Sequence, residues 1–286
     1  MKSGFVTFVG RSNVGKSTLL NALVGSKVAI VTPKPQTTRH PVRGILHDPR
    51  GQIVFVDTPG IFLGKKDAVS RELNKIVREQ IEGIEAIVYV VDPTREPGAE
   101  EAHLQELLKK TRVPIIVAVN KNDLPILRRP FLKNTLILDV GQRATMEISA
   151  IKHRELNKLI DTLFDLLPEG EAFYPEHQLT DLSHADWIAE VIREKVFLHL
   201  QEELPYSVHV EVTETNMRDD EHEKISATVW TTEERYKGMI IGAKGEMVKT
   251  IGSDARKELE SATGKKIFLG LDVQVDPKWQ ERFNKA

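Results

Sequence analysis

The residues with the clearest chemistry stand near the N-terminus, where Gly10-Arg11-Ser12-Asn13-Val14-Gly15-Lys16-Ser17 has the spacing G-x-x-x-x-G-K-S. Glycines at this spacing let backbone N–H groups curl toward phosphate oxygens. A helix opening at Lys16 would add a favourable dipole. Lys16 can then reach the β and γ phosphates of a nucleotide, and the Ser17 hydroxyl, with Thr18 beside it, can reach Mg²⁺. The plainer reading is a glycine-rich turn with a solvated lysine. The loop's place between an apolar strand and a helix favours the phosphate reading.

Further motifs follow in an order that fits one site. Asp57-Thr58-Pro59-Gly60 closes the apolar run Ile53–Val56. Asp57 can hold Mg²⁺, commonly through water, and the Gly60 N–H can sense a γ-phosphate. Asn120-Lys121-Asn122-Asp123 closes the run Ile115–Val119. A carboxylate at Asp123 can accept from guanine N1–H and from its 2-amino group, and adenine offers neither. The expected ligands are therefore GTP and GDP, not ATP. Ser149-Ala150 would turn a backbone N–H toward guanine O6. Between the first helix and Ile53, the polar stretch Lys34–Arg39 suits a switch loop. Thr38 is its candidate second hydroxyl for Mg²⁺, engaged only with γ-phosphate present. Thr37 is the competing assignment, and a solvated loop threonine is the plain one.

These residues need a scaffold that brings loops to one edge. Strands are expected at Gly4–Val9, Ile53–Asp57, Ala86–Val91, Ile115–Asn120 and Thr145–Ser149. Helices are expected at Lys16–Leu23, Ser70–Glu82, Ala99–Lys110 and Arg154–Leu167. Alternating strands and helices imply an α/β domain over 1–167 with a central, mostly parallel sheet. The strands are continuous apolar runs, as for strands buried on both faces. Pro125–Val140 has no clean period. A linker is expected at Pro168–Thr180, where Pro168, Gly170 and Pro175 interrupt any pattern.

Residues 181–286 read differently. An amphipathic helix, Ala185–Leu200, precedes strands Val208–Thr215 and Lys224–Thr232, joined by the charged turn Asn216–Glu223. A short helix, Tyr236–Ile241, runs into Gly242-Ala243-Lys244-Gly245, then a long helix, Glu246–Thr263, and a last strand, Lys266–Val275. The order α-β-β-α-α-β marks a second, smaller α+β domain.

The chain has 286 residues, long enough for two domains, and no cysteine, which excludes disulfides and thiolate metal sites and fits a reducing cytosol. Gly10 and Arg11 stop the run Phe5–Val9 far short of a signal peptide's apolar core. No apolar run approaches the about 20 residues of a membrane span. The formal net charge of −2 gives no overall case for a polyanionic partner. The charge is uneven, however. Residues 181–286 hold 15 Lys+Arg against 21 Asp+Glu, while Arg235–Lys266 alone holds eight basic and four acidic residues. The positive field is thus concentrated around the G-x-x-G turn.

Taken together, G-R-S-N-V-G-K-S, Q-T-T-R, D-T-P-G, N-K-N-D and S-A resemble the TrmE/Era-type branch of translation-factor-related GTPases. Met239-Ile240-Ile241-Gly242-Ala243-Lys244-Gly245 resembles the loop of a type II KH domain. A P-loop GTPase domain followed by such a domain is similar to the Era family over almost the whole chain. That resemblance implies slow GTP hydrolysis using Lys16, Thr38, Gly60 and Asn13. It also implies binding near the 3′ end of 16S ribosomal RNA and a part in maturation of the 30S subunit. It further implies a cytoplasmic protein, expected as a monomer, with peripheral contact at the inner membrane face.

Where Ras-like enzymes place a water-orienting glutamine after D-x-x-G, this chain has Ile61. Related GTPases use an asparagine at the place of Asn13 to hold K⁺ against the phosphates, so K⁺-stimulated hydrolysis is expected; the alternative is that Asn13 only caps the loop. The expected RNA contacts are Ile240, Ile241, Gly242, Ala243, Lys244, Gly245 and Lys249, with Val248 and Ile251 either lining the cleft or belonging to the core. A rival reading is a GTP-regulated scaffold acting through protein or membrane contacts. A small-molecule kinase fails on N-K-N-D.

Overall fold

A computed structural model describes residues 1–35, 37–39, 41–58, 83–217, 219 and 221–283. The chain divides into two compact units, Met1–Asp181 and Leu182–Ala286.

The first unit is built on a six-stranded sheet. Its strands are β1 (Lys2–Val9), β2 (Val42–Asp48), β3 (Gly51–Asp57), β4 (Ala86–Val91), β5 (Ile115–Val119) and β6 (Ala144–Glu147). Their spatial order is β2-β3-β1-β4-β5-β6. Every neighbouring pair is parallel except β2 and β3. Helices α1 (Lys16–Val24), α2 (Ala99–Leu108), α3 (Leu132–Leu136) and α4 (Leu156–Leu166) complete the described elements of the unit. The apolar runs are central strands: every residue of β3, β4 and β5 is buried. Because β1, β3, β4 and β5 run parallel, the loops that follow them emerge at one edge of the sheet, where α/β proteins bind ligands. Those are the loops carrying the phosphate, D-T-P-G and N-K-N-D motifs.

The structure adds two elements to the sequence reading and alters one expectation. The strand β2 was not expected; it forms a hairpin with β3 through Asp48-Pro49-Arg50-Gly51, a turn sequence between two apolar runs. Pro125–Val140 folds as a 3₁₀ turn at Ile126–Arg128 and the short α3. Residues 168–180, expected as a linker, are fastened to the first unit. Ser3 N–H donates to Pro168 O at 3.1 Å, and Gly170 N–H to Met1 O at 2.8 Å. The buried Gln52 side chain accepts from the N–H groups of Phe173 and Tyr174 and donates to Tyr174 O, at 2.8, 3.1 and 2.8 Å. Ile45 N–H then donates to Leu179 O at 2.9 Å, beside an antiparallel bridge of Gly44 with Thr180. The physical reason is that β2 is an edge strand whose outward N–H and C=O groups need partners. The expected helix Ser70–Glu82 lies outside the described residues.

The second unit follows the expected order. It comprises α5 (His184–His199), β7 (His209–Met217), β8 (His222–Thr231), α6 (Glu234–Ile241), α7 (Glu246–Thr263) and β9 (Lys266–Val275), with a further α8 (Trp279–Phe283). β7 is antiparallel and β9 parallel to β8. Ser183 caps α5, its hydroxyl oxygen accepting from Asp186 N–H at 3.1 Å. The core joins Ile188 and Ile192 of α5, Val229 of β8, Ile240 of α6, Ile251 and Leu259 of α7 and Val273 of β9. Among the described residues no helix is long and apolar enough to cross a membrane.

Candidate nucleotide-binding site

The phosphate loop joins β1 to α1. Gly15 caps α1 with φ 101° and ψ 26°, a left-handed conformation that glycine adopts without the cost of a Cβ. Lys16 is buried, its Nζ donating to Gly10 O at 3.1 Å and Arg11 O at 2.9 Å. Ser12, Asn13, Gly15, Lys16, Ser17 and Thr18 line one side of a cleft of about 140 Å³, and Thr32, Pro33, Thr37 and Thr38 line the other.

Two of the lining residues, Ser17 and Thr38, meet the buried Asp57. Ser17 Oγ donates to Asp57 Oδ2 at 2.5 Å and lies 3.3 Å from Thr38 Oγ1, which is itself 3.5 Å from the same carboxylate oxygen. Thr37 also lines the cleft, but its hydroxyl donates to Lys34 O at 2.8 Å and meets Thr32 Oγ1 at 2.6 Å. Of the two competing threonines, Thr38 is the one hydrogen-bonded beside Ser17 and Asp57. Asp57 is fully buried, and its Oδ1 has no hydrogen-bond partner among the described residues. Burial pushes its carboxyl pKa up, opposed chiefly by Lys16, while burial lowers that of Lys16. An orphaned carboxylate oxygen beside two hydroxyls is a hard-oxygen donor set. Among the described residues no group of three or more His, Cys, Asp or Glu side chains could hold a metal by itself. The set fits an ion such as Mg²⁺, which takes one or two protein carboxylates and completes its shell with phosphates and water.

The base end is equally connected. Asn120 Nδ2 donates to Val14 O at 2.9 Å, and its Oδ1 accepts from Ala150 N–H at 3.0 Å, so one buried amide ties the N-K-N-D, phosphate and S-A loops together. Ser149 Oγ donates to Asp123 Oδ1 at 2.6 Å, which orients the carboxylate expected to read guanine. Lys121, at φ 66°, pairs with the buried Asp92. Thr58 Oγ1 donates to Phe8 O at 2.9 Å and pins the start of its loop. Pro59, Gly60 and Ile61 lie outside the described residues.

Asn13, at φ 63°, donates from Nδ2 to Pro33 O at 2.7 Å. It bridges the phosphate loop to the segment carrying Thr38, and its Oδ1 is the acceptor left on the side chain. Asp92 and Pro33 were missed in the sequence. Asp92 had a usable signal, a carboxylate directly after the apolar run of β4; the Pro33 carbonyl had none.

In the second unit the Gly242–Gly245 turn projects between α6 and α7. Gly242 has φ 74°, and a Cβ there would stand 2.7 Å from Met247 Cβ, so the close approach requires glycine. Ala243, Lys244 and Lys249 are exposed, with Lys244 held at φ 52°. Ile241 and Val248 are partly buried against the core. Ile240 and Ile251 are 0% exposed. The expectation that Ile240 touches RNA is corrected: at i and i+1 of a helix its neighbour Ile241 takes the outer position, and Ile240 faces the core.

A family described as 50S ribosome-binding GTPase matches residues 5–121, and a KH domain family matches residues 203–280. GTPase Era of Halothermothrix orenii is 40% identical over 288 residues, covering 98% of this chain and 95% of that protein. GTPase Era of Trichlorobacter lovleyi is also 40% identical, over 285 residues with the same coverages. The crystal structure of a point variant of Aquifex aeolicus Era bound to GDP·AlF4⁻ aligns with TM-score 0.89 and 36% identity, over 99% of this chain and 97% of that one. A structure of Era in complex with MgGDPNP and nucleotides 1506–1542 of 16S ribosomal RNA aligns with the same score, identity and coverage.

Proposed function

This chain belongs to the Era GTPase family and hydrolyses GTP, and on that premise we propose that it binds the 3′ region of 16S ribosomal RNA in a nucleotide-dependent manner and serves maturation of the 30S subunit in the cytoplasm. The observation that carries the RNA half is the Gly242–Gly245 turn, where Ala243 and Lys244 are exposed, backed by the exposed Lys249. Small residues there let an RNA backbone come close, and the local basic excess supplies counter-charge that the second unit lacks overall. The RNA-bound Era relative supports the same reading.

On the nucleotide side, Asp123 accepts from the guanine edge, and Lys16 moves from its loop carbonyls onto the phosphates. Ser17, Thr38 and Asp57 hold Mg²⁺, which when bound neutralises charge on the phosphate oxygens. Ile61 cannot orient the attacking water, so intrinsic hydrolysis is slow. Asn13 Oδ1 contributes to a K⁺ site at the phosphates, a cationic role filled elsewhere by an arginine. Equal hydrolysis rates in K⁺ and Na⁺ at matched ionic strength would remove that part of the reading.

The test of the whole is binding of an RNA carrying the 3′ end of 16S ribosomal RNA to the full chain with GDP and with a non-hydrolysable GTP analogue. Binding should be tighter with the analogue and should weaken for Lys244→Asp. Equal affinity in both nucleotide states eliminates the switch, and unchanged affinity in Lys244→Asp eliminates the turn as the contact.

A further inference from the structure

One segment touches both the guanine loop and the phosphate loop, and neither motif contains it. It starts at Asp92, directly after β4. Asp92 is 2% exposed; one carboxylate oxygen pairs with Lys121 Nζ, and the other accepts from Thr94 N–H and Oγ1 at 2.9 and 2.7 Å. Further along, Arg95 Nη1 donates to Ser12 O in the phosphate loop at 3.0 Å. The segment ends in the first turn of α2, where Glu100 and Glu101 accept from Arg11 Nε and Nη1, each at 3.1 Å. Arg11 Nη1 also donates to Glu96 O at 3.0 Å.

Arg11 is thus held on two sides. Its guanidinium is largely buried and faces three acceptors on this segment, and Glu101, 6% exposed, is itself fixed by accepting from Gly98 N–H at 3.3 Å. Its backbone carbonyl accepts from Lys16 Nζ at 2.9 Å. A guanidinium fork is planar and rigid, so two carboxylates fix its orientation as well as its place. Both glutamates stand in the first turn of α2, where the helix dipole favours acidic side chains. A solvated loop arginine would show none of this.

We propose that Arg11 is a positioning residue for GTP hydrolysis: its clamped guanidinium sets the Arg11 peptide and through it the phosphate loop around Lys16, and the Asp92–Glu101 segment ties that setting to Lys121 in the guanine loop. The proposal rests on the nucleotide-site reading above. Arg11 acts through Lys16 and the loop, and it does not itself need to touch the phosphates.

The test uses the full chain, with single-turnover GTP hydrolysis and equilibrium binding of GDP and of guanosine. Arg11→Met should slow hydrolysis and weaken GDP binding, each about tenfold, as for loss of a charge-assisted hydrogen bond. Guanosine affinity should fall less than GDP affinity and stay within about twofold, because Arg11 is bonded directly to the phosphate-loop side and reaches the guanine loop only through the intervening segment. Arg11→Lys should recover part of the loss. Glu100→Gln/Glu101→Gln should reproduce it and add little to Arg11→Met, as expected for residues in one network. The proposal is overturned if Arg11→Met matches wild type, if guanosine and GDP lose equally, or if the two sets of losses add. Should Arg11→Met fail to fold, Arg11→Lys and the double glutamine variant decide the matter, and wild-type behaviour in both overturns it. Asp123→Asn separates the two levels. It should weaken GTP and favour a xanthine nucleotide; unchanged GTP binding would sink the site reading itself, whereas a silent Arg11→Met beside a working Asp123→Asn sinks only the role of Arg11.

Discussion

Gly15→Ala probes how the phosphate and guanine loops are joined. Gly15 sits at φ 101°, and a Cβ built there would lie 2.4 Å from Asn120 Nδ2. That nitrogen donates to Val14 O at 2.9 Å, in the residue directly before. Placing alanine in a left-handed conformation costs about 1–2 kcal/mol. Moving Asn120 aside removes a buried hydrogen bond worth about 1 kcal/mol net and strands the Val14 carbonyl for a further 1–3 kcal/mol or so. The sum is roughly 3–6 kcal/mol, equivalent to about a hundred- to some twenty-thousand-fold if all of it fell on nucleotide affinity. Some of it will fall on folding instead, so two measurements are needed: titration with a fluorescent GDP and urea unfolding of the nucleotide-free chain. The two losses together should approach that sum. The reasoning fails if GDP affinity stays within about threefold of wild type while unfolding stability changes by less than about 0.5 kcal/mol, the range of a silent surface substitution.

Gln52→Leu removes three hydrogen bonds to residues 173 and 174. It should cost about 2–4 kcal/mol of stability and speed proteolysis between residues 168 and 181; an unchanged cleavage rate there would refute it. Ile240→Ala, a core truncation, should cost about 2–5 kcal/mol with RNA affinity per folded molecule retained, whereas Lys244→Asp should leave unfolding within about 0.5 kcal/mol; a direct loss of RNA affinity in Ile240→Ala contradicts its buried placement. Arg50, hydrogen-bonded to Asp48 at 2.8 and 3.0 Å, holds the Asp48 carboxyl below its ordinary pKa. The folded value lies under the unfolded one, so this stabilisation is complete above the ordinary carboxylate range, about 3.8, and is lost as pH falls below it. Arg50→Gln should therefore flatten the acid limb of stability in urea unfolding, and an unaltered limb rules the pair out.

Most of the nucleotide site was legible because the phosphate loop, Asp57 and Asn120 each follow an apolar strand, and strand ends are where parallel sheets gather their loops. Phosphate loop, Asp57, Asn120 and Ser149 converge as their order along the chain implies. What stayed hidden depends on contacts across long sequence separations. The clamp on Arg11 joins residues 85 to 90 positions apart, and nothing local distinguishes Glu100 and Glu101 from solvated helix-start glutamates. β2 stayed hidden for a different reason. Val42–Asp48 mixes apolar, charged and glycine residues, and its edge position relaxes the alternation that would have marked it. The turn Asp48–Gly51 was the available signal. Ile240 shows the limit of motif logic: membership in a stretch resembling a loop says nothing about which face of the preceding helix a residue occupies.

The hydrogen bonds from residues 168–181 to β2 bear on how this chain is made and cut. A fragment ending at Leu167 would leave the outer edge of β2 bare over Arg43–His47, and would also release the partners of Met1 and Ser3. A bare, partly apolar edge is a template for pairing with another chain. Soluble preparations of the first unit should therefore extend through Asp181. During synthesis the same edge stays uncovered until those residues have left the ribosome, so the sheet can close its last seam only after every strand in it has been made.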